Sequence, residues 1–184
     1  MRAILILVLS LLLITVSSAK HETVTVGPYE VSFDLNTTQE YNINVTKPIY
    51  SDTYGGIKYV AYIFDLKNTS LNIPLARITV FLYNNTSMEK SIEKMDSSTK
   101  QSLYGLGYHN VKTYNRIIDG QQGILGTVDR YDAPSLFFAV YWPTTSNNLG
   151  DTWVSIRSIY PWEPETLSIL KTIHVELTGK QPEL

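Results

Sequence analysis

The sequence predicts an α+β fold in which a largely antiparallel β-sheet is sandwiched by helices. Three observations carry that expectation. Most of the chain consists of short runs in which apolar and polar residues alternate with period two. Glycine, proline, asparagine and aspartate punctuate the runs, which favours hairpins and so antiparallel pairing. Two segments switch to helical spacing, which gives the order strands, helix, strands, helix.

The chain opens with Met1-Arg2, an uncharged apolar run from Ala3 to Val16, and Ser17-Ser18-Ala19. A basic start, an apolar stretch and a small-x-small site describe a signal peptide over residues 1–19. The run is short of the ~20 residues that a bilayer-spanning helix needs. Cleavage would release the remainder; retention would leave it anchored, the only route to membrane contact. Both place it outside the cytoplasmic membrane, secreted or in the cell envelope. Residues 20–178 are then expected as one domain, and 179–184 as a frayed tail.

Val24 and Val26 alternate with threonines before Gly27-Pro28, and Tyr29, Val31, Phe33 and Leu35 share a face beyond it: two strands around a turn. Tyr41, Ile43 and Val45 mark a half-exposed strand, with Asn44 pointing outward. Lys47–Gly56 reads as a loop. Ile57–Leu66 is apolar on both faces, as a covered central strand requires. Ala76–Tyr83 is a strand with Ile78, Val80 and Leu82 inward.

A helix is expected next, from a capping box at Thr86-Ser87-Met88-Glu89. Met88, Ile92, Met95, Thr99 and Leu103 follow on one face, and Gly105 and Gly107 end it. Asp119-Gly120 is a hairpin signal between Val111–Ile118 and Ile124–Arg130. Pro134–Tyr141 is a second two-faced strand, Thr144–Asp151 a polar loop and Trp153–Tyr160 a strand whose tryptophan is expected in the core. Pro164 suits the first turn of a closing helix with Leu167, Leu170 and Ile173 as its stripe and His174 at its C-terminus.

Composition narrows the function. The 184 residues carry 15 Lys and Arg against 17 Asp and Glu, with no basic cluster, which argues against nucleic acid as a partner. There is no cysteine, hence no disulfide, thiol chemistry or Cys-ligated metal. The three histidines fall far apart and without H-x-x-x-H spacing, so no metal site and no cofactor are expected. No G-x-S-x-G stands in the chain. Asp129 to Asp132 offers two carboxylates without the spacing of a calcium loop. No catalytic residue is therefore assigned.

The remaining signals are sequons and aromatics. Asn36, Asn44, Asn68, Asn84 and Asn85 each begin an N-x-[S/T] triplet, candidate glycosylation sites confined to the first half. Thirteen tyrosines and three tryptophans suit a contact surface. Tyr50, Tyr54, Trp142 and Trp162 fall at or beside loops and are the candidate partner contacts. If sugars shield the first half, the partner is expected to meet residues 105–178.

Several segments together resemble a family. They are the opening strand Tyr29-Glu30-Val31-Ser32-Phe33, the helix from Met88 to Tyr104, and the hairpin Ile117-Ile118-Asp119-Gly120 running into Gly123–Arg130. The last is Val154-Ser155-Ile156-Arg157-Ser158 followed by Pro161-Trp162-Glu163 and a helix to Val175. This order is similar to the PsbP-like fold group: the photosystem subunit PsbP, the Ran-binding Mog proteins and secreted lipoproteins such as LpqN. The resemblance implies a sheet between helices and a non-enzymatic docking role. The expected function is an exported binding or accessory protein for a larger assembly or surface polymer. The alternative is a secreted hydrolase of glycans or peptides using a carboxylate acid/base pair.

Overall fold

The computed structural model describes residues 19–52, 57–70, 74–84, 90–128, 136–144, 152–159 and 163–179. The strands are β1 (Lys20–Val26), β2 (Tyr29–Leu35), β3 (Tyr41–Val45), β4 (Ile49–Asp52), β5 (Lys58–Asn68) and β6 (Pro74–Tyr83). Helix α1 (Ile92–Gly105) precedes β7 (Val111–Ile118), β8 (Gln121–Val128), β9 (Leu136–Tyr141) and β10 (Thr152–Ile159), and α2 (Glu163–Thr172) precedes β11 (His174–Leu177).

The strands form two sheets, every pairing antiparallel. The larger has eight strands in the order β3-β5-β6-β10-β9-β8-β7, with β4 also on the β5 edge; the smaller is β1-β2-β11. This corrects the expected fold class. Strands hold 59% of the described residues and helices 18%, so the fold is β-rich and not a sheet sandwiched by helices. Among the described residues, one face of the large sheet is covered by the small sheet together with α2 and the other by α1. The expectation failed at the C-terminus: Val175 and Leu177 continue an apolar pattern that fits either a helix end or a short strand. They add to the β2 edge, with His174 opposite Ser32. His174 therefore begins a strand and caps no helix.

The main core lies between the sheets. Tyr29, Val31, Phe33 and Leu35 of β2 meet Val60, Phe64 and Leu66 of β5 and Ile78, Val80 and Leu82 of β6, all at most 1% exposed. Alternation put them there, since one strand face is one parity of the sequence. Helix α2 contributes Ile169, Leu170 and Ile173, whereas Leu167 points outward at 40% exposure. Where β11 stops, hydroxyls of α2 continue along β2. Thr172 Oγ1 accepts from Asp34 N at 2.8 Å and Ser168 Oγ from Asn36 N at 3.3 Å.

One turn follows the sequence closely. Asp119 and Gly120 both have positive φ, 51° and 69°, the two-residue hairpin turn that Asp-Gly favours. The expected loop Lys47–Gly56 instead contains β4. Four residue steps from Val45 to Ile49 run opposite three from Phe64 to Ala61, so one residue bulges around Thr46–Pro48 and pairing resumes. At the far end, Thr178 N and Gly179 N both donate to Pro28 O, which ties down the start of the expected frayed tail.

Helix α1 begins later than expected. Its N-cap is Ser91, whose hydroxyl accepts from Lys94 N at 3.1 Å; residues 86–89, the expected capping box, lie outside the described residues. Gly107 (φ 84°) closes it, with Tyr108 N donating to Leu103 O and Gly107 N to Tyr104 O. Met95, Thr99 and Leu103 are its buried stripe. They approach β8 over Gly126, where a Cβ would stand 2.7 Å from Leu103 Cδ1 and 2.9 Å from Thr99 Cγ2. Ser91→Ala should cost about 1 kcal/mol, the usual worth of a cap, and Met95→Ala roughly 2–5 kcal/mol. Urea denaturation measures both; two negligible values would show that α1 does not dock.

Candidate functional site

Helix α1 covers β7, β8 and β9 and leaves β6 and β10 beside it, so a step runs along its edge. Register shows what lies there. Trp153 pairs with Phe81 and Ser155 with Thr79, all on the sheet face opposite the main core. The step is a groove of about 530 Å³. Its floor is aromatic: Phe81, Tyr83, Phe138, Trp142 and Trp153. Its wall is one stripe of α1, Lys94, Ser98 and Ser102, at the i, i+4, i+8 spacing of one helix face.

Trp142 and Trp153 meet edge-to-face with centroids 4.7 Å apart. Trp142 follows β9 directly and is 9% exposed; Trp153 is half-buried. Lys90 Nζ lies 5.4 Å from the Trp142 ring centroid. Tyr59, Phe81 and Tyr83 form a second cluster, with centroids 5.6 to 6.2 Å apart. Two polar atoms of the lining, Trp142 Nε1 and Thr99 Oγ1, are buried without a hydrogen-bond partner. A buried polar atom left unpaired costs on the order of 1–3 kcal/mol.

Burial, reinforced by Tyr59, pushes the Tyr83 hydroxyl up to about 12. Burial, with Tyr50 and Tyr29 beside it, does the same to Tyr62. Both lie above the ordinary tyrosine value near 10, so folding favours the neutral phenols. Their contribution to stability is full below pH 10 and is lost as pH rises through 12. The melting midpoint should fall across that window, with tyrosinate absorbance appearing in step. Absorbance complete by pH 10.5 in the folded protein would refute this.

Beyond Ser155 on the same sheet face stand Arg157 and its cross-strand neighbour Arg77. Arg77 is committed: its Nε and Nη2 donate to Asp65 Oδ1 and Oδ2 at 2.7 and 3.0 Å, and Asp65 is 3% exposed. Arg157 Nε is buried and without a partner. Arg77 and Arg157 both line a smaller recess of about 170 Å³.

The predicted contacts divide. Trp142 lines the groove but is buried, not projecting. Tyr50 is 63% exposed, yet it pairs with Val60 and so lies on the opposite sheet face. Tyr54 and Trp162 lie outside the described residues. Trp153, expected in the core, faces the groove. Asn36, Asn44 and Asn84 are exposed and Asn68 half-buried; Asn85 lies outside the described residues. Asn44 stands opposite Asp65, on the groove side of the sheet's edge. The groove draws on both halves of the chain and not on 105–178 alone. Phe81, Tyr83 and the Lys94 stripe were missed. For Phe81 and Tyr83, parity opposite Ile78, Val80 and Leu82 was the available signal.

The remaining dyads are structural links. His174 Nδ1 lies 2.8 Å from Asp119 Oδ1, and Asp119 Oδ2 accepts from Val175 N at 3.2 Å and Tyr141 OH at 3.4 Å, tying the β7–β8 turn to β11. His21 similarly pairs Asp34 across β1 and β2. Among the described residues no three His, Asp or Glu side chains gather as metal ligands, and no helix is long and apolar enough to cross a membrane. No protein-family model, curated protein or solved structure matches this chain.

Proposed function

We propose that the chain is an exported, non-catalytic binding protein whose contact site is the groove between α1 and strands β6, β9 and β10. The observation that carries this is an aromatic floor facing a hydroxyl-bearing wall, with two buried polar atoms unpaired. Rigid aromatic surface with a few convergent polar groups is what ligand pockets offer, and the volume falls in their ordinary range. Export rests on the basic-apolar-small pattern of residues 1–19. Strand β1 begins at Lys20, immediately after the expected cleavage point. The partner is a protein or a surface polymer outside the membrane.

A hydrolase built on an acid/base pair needs two carboxylates facing a substrate. The described lining of the groove offers hydroxyls, aromatics and one lysine instead, which favours binding. Pull-down from cell-envelope material with the wild-type protein and with Trp153→Ala tests the proposal. The expected result is a captured component that the variant loses while it still unfolds cooperatively. Equal capture by both would move the site elsewhere, with the exposed Tyr50 edge next in line.

A further inference from the structure

We infer that the groove binds an acidic glycan, an oligosaccharide carrying carboxylates, with its sugar rings on Trp153 and its acid groups on Lys94 and Arg157. The inference rests on the proposed binding role of the groove and assigns its ligand class. Sugar rings have an apolar C–H face and an edge of hydroxyls. They suit an aromatic floor beside a wall of hydroxyls, and the groove has both: Phe81, Tyr83 and Trp153 below, Ser98 and Ser102 beside.

Charge selects the acidic class. The charged side chain of the described lining is a cation, Lys94. Along β10, the groove face runs Trp153, Ser155, Arg157. Alternate residues of a strand are about 6.6–6.8 Å apart, so Arg157 lies roughly 13 Å from Trp153. Asp65 already neutralises Arg77, and Arg157, beside it in register, carries a buried unpaired Nε. An apolar platform with a cation near each end spans more than one sugar. A guanidinium meets a carboxylate in a two-point geometry, which a neutral glycan cannot use.

The test is titration of the purified protein with tri-galacturonate, followed by tryptophan fluorescence, with galactotriose and polyglutamate in parallel. Tri-galacturonate is expected to change the fluorescence saturably and to bind at least tenfold more tightly than galactotriose. Arg157→Gln and Lys94→Gln should each weaken it roughly ten- to hundredfold, the worth of a charge-assisted hydrogen bond. Ser102→Ala, on the exposed wall, should weaken it less and leaves the fold intact if Trp153→Ala does not. Galactotriose binding as well as the acid, or full affinity in Arg157→Gln, would overturn the acidic assignment. Polyglutamate binding as tightly would make the site a receptor for acidic peptide, which also overturns it. If Trp153-dependent envelope capture persists while tri-galacturonate fails to compete, the ligand class falls and the binding role stands. If capture and titration are both indifferent to Trp153, the two fall together.

Discussion

Phe33→Ala should destabilise the protein by roughly 3–5 kcal/mol, the range for truncating a fully buried phenylalanine. Phe33 lies near the middle of β2, and its ring stacks on Phe64 of β5 at 6.1 Å with the planes 10° apart. Neither side chain has any exposure. The pair joins the small sheet to the large one, so the cavity left behind lies between two elements that cannot collapse onto it separately. Urea denaturation at neutral pH gives the value. A loss under 1 kcal/mol would mean that the small sheet is not packed through this pair. Phe64→Ala should match it, and the double variant should cost less than the sum, because contacting residues couple.

Gly27→Ala should cost about 2–5 kcal/mol. Gly27 sits in the β1–β2 turn at φ 60°, a conformation worth roughly 1–2 kcal/mol to a residue with a Cβ. Its added methyl would fall 2.1 to 2.8 Å from three atoms of the Tyr62 ring, and overpacking of that kind adds typically 1–3 kcal/mol. Gly120→Ala is the control. Its φ is 69°, but nothing lies within 4 Å of its Cβ position, so it should lose the backbone component alone. Equal losses at the two positions would show that Tyr62 moves aside freely.

How much of this was legible in the sequence depended on how local the cause was. Ile78, Val80 and Leu82 were placed inward by alternation alone, and all three are fully buried. Asp119-Gly120 specified its turn because positive φ is a property of those residues. Met95, Thr99 and Leu103 specified the docked face of α1 by spacing. The failures were non-local. Strand β4 exists because β5 offers an edge after the bulge at Pro48, and no residue of Ile49–Asp52 announces that. Strand β11 pairs with residues far earlier in the chain, so its four residues looked like the end of a helix. Trp153 was expected in the core because a strand of mixed character has two faces. Among the described residues, α1 stops short of β10 and leaves that side of Trp153 open. The groove is therefore a consequence of where a helix ends laterally, which periodicity does not encode.

The closing of the small sheet also sets a schedule. Thr178 binds Pro28 from 150 residues away, and Thr172 binds Asp34 from 138. Such high contact order slows folding, because the loop-closure entropy is lost before the contacts form. The β1–β2 hairpin emerges first but lacks the covering strand and helix until nearly the whole chain is present. On the proposed export route, a chain that cannot complete its core early would stay extended and threadable, and would acquire its stable form only once its last strand had crossed.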